Sequence, residues 1–548
     1  MRNAKKTILC AAVLATAAVA HAAAPYSRAG TTLPPPGPGH DLRGDGVFAA
    51  TLTAAPGEHA SCWVAAPARP TAGTMHVTVE PFRSDDASML PRSVVTTHRV
   101  LSRGARRDKD DPVVVAPEFL VPFDHHLDVP AGETIVVWLT VAVPLDARPG
   151  TYRTSVLVDG AAAAVVSLNV LAFALAPMPI PAVMLYTYEF RYLDRYEPDF
   201  VPARKRRSRA DRAGFVAKGR RVVRDLAAHG MNTIFPHCGP SVITRDGKPF
   251  IPDLYQSLDE ARARGMTMSP GWFVGWLVNA QWKDLPKFDA KRDAATLVTV
   301  AREAARAARE RGFPDIILVP SDEPNHEKKL PVARELLKRA GRIDGVRWAV
   351  TGNYPALEAL SGLYDIAIIA GGTQEQWAAL KKAGAELWIY ENNATTGRDA
   401  TWSRFVYGLF AWRAAFDGVG SWTYPPNVED YRGARTDARD GSKIPCFTKE
   451  GRPVTTLVWE AIREGITDRR YIETLRLRIE EAKRRGRAPE ARRAQAVLDD
   501  LRKRVDPDLK SHRWKHTEYG GPHPRGFEWE DLERARRDVR TAILRLKR

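Results

Sequence analysis

Residues 314 to 328 read PDIILVPSDEPNHEK, and in them the apolar run Ile316-Ile317-Leu318-Val319 ends in Pro320, Ser321, Asp322, Glu323 and Pro324. Successive side chains of a regular strand point to opposite faces, so Asp322 and Glu323 can serve one pocket only where the strand has ended. The two prolines, lacking an N–H for a ladder, mark that end. Carboxylates held close together repel, and the pKa of one rises. One acid then stays ionised while the other keeps a proton near neutral pH, the division of labour that general acid catalysis requires. The same residues also suit a plain helix start, with Asp322 as cap and Glu323 in the first turn.

Other apolar runs end in a comparable way. Tyr186, Tyr188 and Glu189 follow one, and His237 the next. Trp272 and Trp276, Asn353 and Tyr354, then Tyr390, Glu391, Asn392 and Asn393, and finally Trp422 and Tyr424 follow others. Singly, each aromatic is as well explained by packing. As a set, flat rings beside amides and carboxylates suit a sugar ring, whose C–H face stacks while its hydroxyls need donors and acceptors. Tyr188, His237, Trp272, Asn353, Tyr390, Glu391, Trp422 and Tyr424 are the candidate substrate-binding residues, with Asp322 and Glu323 the candidate catalytic pair.

These residues need a scaffold that gathers strand ends. From about residue 183, short apolar runs alternate with helical patterns. The runs are 183–190, 231–237, 265–272, 315–324, 346–354, 364–372, 386–393 and 418–426, and the helix VTTLVWEAIREG follows the last of them. Several of the helical patterns end in glycine, the usual C-terminal stop. Eight strand–helix units predict a (β/α)8 barrel, in which every strand's C-terminal end faces the functional side. Residues 23–176 read instead as an all-β domain: short alternating runs such as TIVVWLTVAV and TYRTSVLVDG, punctuated by proline and glycine, predict a β-sandwich. The barrel is expected over 177–465, after the proline-rich joint APMPIPAV. A charged helical extension is expected over 466–548, with Tyr471, Leu475 and Ile479 as its packing stripe.

The first 22 residues combine Arg2, Lys5 and Lys6 with an apolar stretch too short to span a bilayer and an Ala20-His21-Ala22 cleavage pattern. They predict a cleaved signal peptide and a periplasmic or secreted protein. No later stretch reads as a membrane span. Cys62, Cys238 and Cys446 are too few and too scattered for a disulfide framework, and free thiols are expected. The 548-residue chain carries a formal charge of +17. That balance fits a solvated arginine-rich surface, or an acidic or sulfated glycan as partner. The densest basic run, residues 204–209, has no interleaved aromatics, so a nucleic-acid partner is not expected. No phosphate-binding glycine pattern, metal-ligand spacing or serine-hydrolase elbow occurs, and no cofactor or metal is expected.

In the order of four elements the chain resembles glycoside hydrolase family 123 and the wider group sharing its barrel domain. VVWLTVAVPLDARPGTY is similar to the preceding sandwich, and SDEP to the family's Asp-Glu pair. RFVYGLFAWRAAFDGVGSWTY is similar to the last barrel unit, and EAIREGITDRRYIETL to the segment after it. The resemblance implies an exo-acting β-N-acetylgalactosaminidase-like enzyme with a substrate-assisted mechanism. Asp322 would orient the substrate's 2-acetamido group. Glu323 would act as general acid and then base, with retention at the anomeric carbon. Trp422 and Tyr390 stand where the family has pocket aromatics.

Three alternatives stay open on the residues alone. Glu323 after the fourth strand and Glu391 after the seventh match the layout of two-carboxylate retaining barrels, which need their carboxyls about 5–5.5 Å apart. A non-catalytic glycan-binding protein could keep the same fold. A basic, envelope-binding structural protein is the third, and its binding would vanish with salt.

Overall fold

The computed structural model describes residues 48–66, 70–105, 114–187, 190, 209–237, 243–245, 248–278, 280, 287–396, 399–422, 424, 446–447, 453–512 and 523–547. The expected signal peptide, the basic run 204–208, Tyr188, Glu189 and Cys238 lie outside them. The chain divides into two compact units, the second holding the chain from Leu175 onward together with Ala105–Val114.

The first unit is a sandwich of two sheets. One runs in the order Phe48–Ala54, Ala161–Val170, Gly150–Val158, Gly73–Val79, His126–Val129. The other runs His59–Ala66, Ile135–Ala142, Val95–Ala105, Val114–Pro122. Alternation decides what lies between them. Leu52, Val77, Val156 and Leu168 from one sheet meet Cys62, Val64, Val137 and Leu139 from the other in a single apolar core. Cys62 is a free thiol, and burial pushes its pKa up to about 12, so it is inert packing.

The second unit contains the barrel. Its strands are β1 (Ala182–Thr187), β2 (Phe235–Pro236), β3 (Gly271–Phe273), β4 (Ile316–Val319), β5 (Val346–Gly352), β6 (Ile366–Ile369), β7 (Glu386–Tyr390) and β8 (Gly418–Trp422). All eight coincide with the runs read as strands, Ala182 and Phe273 alone lying one residue outside them. They form one parallel sheet in the order β2-β1-β8-β7-β6-β5-β4-β3. The Gly271 N–H donates to the Ile234 carbonyl at 2.8 Å, joining the two ends of that order into a barrel.

Helices α1 (Arg209–Ala228), α2 (Pro252–Ala263), α3 (Ala290–Glu310), α4 (Lys329–Ala340), α5 (Tyr354–Ala359) and α6 (Gln374–Lys382) follow the first six strands. Helix α7 (Ala400–Phe405), prolonged by a π-helical turn over Val406–Phe410, follows β7, and α8 (Leu457–Arg484) completes the eighth unit. Both faces of the strands are covered, hence their near-continuous apolar character.

Inside the barrel, Val183, Leu185, Phe235, Phe273, Ile317, Val319, Ala349, Ile366, Ile368, Trp388 and Tyr390 pack together. Large rings fit because neighbouring strands supply glycines. A methyl group on Gly271 would lie 2.0 Å from the Phe235 ring, and one on Gly418 would lie 2.4 Å from that of Trp388.

Helix α8 runs unbroken past residue 465 into the charged extension, where α9 (Ala488–Arg504) and α10 (Trp529–Lys547) join it. Tyr471, Leu475 and Ile479 are buried as their spacing predicts. Arg404 of α7, fully buried, fastens the bundle: it pairs with Asp468 of α8 at 2.7 Å and with Glu533 of α10, and lies 4.4 Å over the Trp529 ring. Arg536 of α10 pairs with Asp468 and Glu464. Among the described residues no helix is long and apolar enough to cross a membrane.

Candidate active site

The Asp-Glu pair follows β4 at the C-terminal end of the barrel. The chain leaves the strand after Val319, and Glu323 adopts a left-handed backbone conformation with φ 42°. A non-glycine residue there is strained and needs support from its surroundings. Thr351 of β5 supplies it: its hydroxyl accepts from the Glu323 N–H at 2.9 Å and donates to Asp322 Oδ1 at 2.7 Å. The same oxygen accepts from the Tyr186 hydroxyl at 2.7 Å. Asp322 Oδ1 is thus held by two donors from two other strands.

The pair is electrostatically asymmetric. Glu323 is exposed on one side, yet partial burial and then the neighbouring Asp322 charge push its carboxyl above the usual range, with the Lys329 ammonium pulling the other way. That is the direction a general acid needs near neutral pH. Tyr186 is pushed well above the ordinary phenol value by burial and then by Asp322, so it remains a hydrogen-bond donor. Tyr390 is raised too, by burial and then by both carboxylates, with a hydrogen bond to Asn392 opposing. Tyr390 packs on the interior side of β7.

His237 and Trp276 form another wall. The Trp276 indole N–H donates to His237 Nε2 at 2.7 Å, which fixes the imidazole with its proton on Nδ1 when neutral. The His237 ring lies edge-on to Tyr186 at 6.2 Å and tilted against Phe273 at 5.3 Å. Trp422, in register with the inward-facing Leu185, lies on the interior face at the end of β8. It is 38% exposed, and it is the one large aromatic so exposed among the described residues. Its backbone N–H donates to Asn392 Oδ1 at 2.9 Å, so Asn392 links the ends of β7 and β8.

Four sequence-predicted residues stand elsewhere. Trp272 pairs in register with Leu318 while the next residue, Phe273, pairs with Val319 and points inward, so Trp272 lies on the outer face of the barrel wall. Asn353 caps α5, its side-chain oxygen accepting from the Ala356 N–H at 3.3 Å. Tyr424 reaches between α1 and α8, donating to Asp225 at 2.8 Å with its ring against Trp459. Glu391 follows the inward-facing Tyr390 and turns the other way. Its Oε1 accepts from the Asn393 N–H at 2.8 Å and from the Asn393 amide at 2.6 Å. Burial raises its pKa and Asn393 and then Trp402 lower it, whereas Asp322 and Lys329 are the charges that act on Glu323.

Sequence reasoning missed Thr351 and Lys329 and left Tyr186 off the binding set. Thr351 carried a weak signal, a polar residue two positions after Ala349 on the inward-facing side of β5. Among the described residues no cluster of three or more His, Cys, Asp or Glu side chains could hold a metal ion.

No protein-family model and no curated protein matches the sequence. Solved structures do match the fold. A family 123 glycoside hydrolase from Clostridium perfringens, described for glycolipid glycan hydrolysis, superposes with a TM-score of 0.64 at 11% identity, over 90% of this chain and 94% of that one. A GH5-4 broad-specificity endoglucanase from Clostridium longisporum aligns with a TM-score of 0.35 at 10% identity, covering 53% of this chain and 96% of that one. A Bacteroides ovatus GH5 xyloglucanase aligns at 0.31 and 10% identity, covering 76% and 98%. The last two are too loose in shape to bear on chemistry. The first extends the likeness across nearly all of both chains.

Proposed function

We propose that this chain, which has the fold of a family 123 glycoside hydrolase, is an exported, exo-acting, retaining glycosidase that cleaves a β-linked 2-acetamido sugar with help from the substrate's own acetamide. One observation carries the reading: Asp322 has one oxygen held by Tyr186 and Thr351, which leaves the other to accept the acetamide N–H, beside a Glu323 whose carboxyl is raised.

In the first half-reaction the acetamide oxygen attacks the anomeric carbon. The bond to the leaving oxygen breaks as Glu323 delivers its proton to that oxygen, and Asp322 stabilises the positive charge growing on the acetamide nitrogen. The product is an oxazoline-type ring. In the second half, water adds to the anomeric carbon, the ring's C–O bond opens, and Glu323 takes the water's proton. Both displacements invert, so the configuration is retained. Glu323 alternates between acid and base without an enzyme nucleophile. Trp422 and Tyr390 offer ring faces for the sugar, and the basic balance of the chain favours an acidic or sulfated glycan as its source.

The two-carboxylate alternative needs Glu391 facing Glu323, and the orientation of Glu391 toward Asn393 speaks against it. The deciding assay uses a matched pair of aryl β-glycosides, one 2-acetamido and one 2-hydroxy. Turnover of the acetamido sugar alone, lost in Asp322→Asn and Glu323→Gln and kept in Glu391→Gln, is expected. Turnover of the plain sugar with Glu391 essential would sink the substrate-assisted reading.

A further inference from the structure

Lys329 is placed against two ordinary preferences. It is buried, with 3% of its surface exposed, and it opens helix α4, where the helix dipole disfavours a cation. A buried ammonium is costly unless compensated by nearby acids and hydrogen bonds. Its Nζ donates to the Asp322 backbone carbonyl; burial pulls its pKa below the ordinary lysine value, and the Asp322 and Glu323 charges work against that pull and favour the ammonium. His326, Glu327 and Lys328, the ionisable residues between the pair and α4, are exposed. Tyr186 from β1 and Tyr390 from β7 are the titratable groups that other strands bring to the pair.

We infer that Lys329 is the built-in counter-charge of the Asp322–Glu323 pair, a positioning residue that fixes the loop through the Asp322 carbonyl and stabilises the doubly ionised state left when Glu323 has given up its proton. The inference rests on Glu323 as the acid/base of the proposed reaction. With Glu323 protonated, the trio of side chains is neutral. After proton donation two carboxylates face each other, and the ammonium leaves the trio with one net negative charge instead of two. Glu323 can then wait as a base for the incoming water.

The test needs no turnover, so it is separable from the glycosidase reading. The carboxyl carbon of Glu323 is followed by NMR through a pH titration of the full chain labelled with ¹³C-glutamate, its resonance identified by its loss in Glu323→Gln. In Lys329→Met and Lys329→Gln the Glu323 midpoint is expected to rise by about one pH unit, the scale of one nearby charge. Lys329→Gln keeps a hydrogen-bond donor for the Asp322 carbonyl and loses only the charge. An unchanged midpoint in that variant would reduce Lys329 to a loop tether and overturn the inference. Linkage supplies a second measurement that leaves Lys329 intact. In Glu323→Gln the titration midpoint of Lys329, read at its labelled Cε, should fall by a similar amount, and an unmoved midpoint refutes the coupling. A shifted midpoint in a protein that turns over neither aryl glycoside would keep the electrostatics and discard the enzyme.

Discussion

Thr351→Val tests the geometry at its tightest point. Valine is nearly the same size, and Thr351 is completely buried between the two acids' backbone and the sheet, so the substitution removes one oxygen and little else. That oxygen makes two bonds, one donated to Asp322 Oδ1 at 2.7 Å and one accepted from the Glu323 N–H at 2.9 Å. A hydrogen bond to a charged group is worth ~2 kcal/mol, and an orphaned buried amide costs ~1 kcal/mol or more. Stability should therefore fall by about 3 kcal/mol, read from urea unfolding of the second unit's transition. The activity loss should exceed what instability explains. Asp322 keeps only Tyr186 as its anchor, and the left-handed turn at Glu323 loses its support. A loss of ~2–3 kcal/mol in transition-state stabilisation is a fall of roughly 100-fold in kcat on the 2-acetamido aryl glycoside, with KM little changed. Tyr186→Phe should act in the same direction, and the double variant should lose less than the sum, because both hydroxyls serve one oxygen. A Thr351→Val protein that is destabilised yet keeps its kcat would refute the reasoning and make Thr351 a structural clamp only.

Two further outcomes follow from buried charges in the second unit. Arg404→Met leaves Asp468 and Glu533 short of a partner at the junction of α7, α8 and α10, so it should cost about 3–5 kcal/mol and expose α10 to limited proteolysis at temperatures where the wild type resists. His229 is buried against its charged form, but the carboxylates of Asp225 and Glu460 hold it up to about 9. A histidine raised in the folded state contributes stability that is complete below its unfolded value near 6.5 and is lost as pH climbs through about 9. Asp225, depressed by its partners against burial, acts at the acid end, so the alkaline side isolates His229. His229→Gln should flatten the stability profile between roughly pH 6.5 and 9, read by urea unfolding at fixed pH steps.

The barrel was legible because its strands are covered on both faces and so read as apolar runs, and all eight positions became strands even where only two residues, Phe235 and Pro236, keep ladder geometry. The pair at the end of β4 was legible for a related reason: adjacent acids after an apolar run need a chain that has left the sheet. The rest of the site depended on which way a side chain turns. A run of buried residues hides the strand's alternation, and Trp272 looked as available as Trp276 until register put it beside Leu318. Asn353 carried its own warning, since Pro355 two residues later is a helix-start signal that fits a cap better than a sugar contact. Thr351 and Lys329 were hidden because their roles come from long-range closure: one crosses from β5 to β4, and the other folds back from the start of α4.

The strain at the site points the same way as the hydrogen bonds. Two non-glycine residues of the barrel wall, Tyr186 with φ 59° and Glu323 with φ 42°, adopt left-handed backbone, and they flank one carboxylate, Asp322. Each such residue costs of order 1 kcal/mol or more and persists only where its surroundings hold it. The benefit is orientation. At Glu323 the left-handed turn lets consecutive acids share one side of the chain, which a continued strand forbids. At Tyr186 it accompanies an interior position directly after the inward-facing Leu185, so two neighbours both join the barrel core. A merely structural helix start would need neither turn. Asp322 and Glu323 would be equally well accommodated as a cap and a first-turn acid in relaxed backbone, yet α4 begins at Lys329, after both of them. The fold tolerates strain at two points to bring a tyrosine hydroxyl, a threonine hydroxyl and two carboxylates together, which is what the proposed pairing of a fixed acceptor with an acid/base would require.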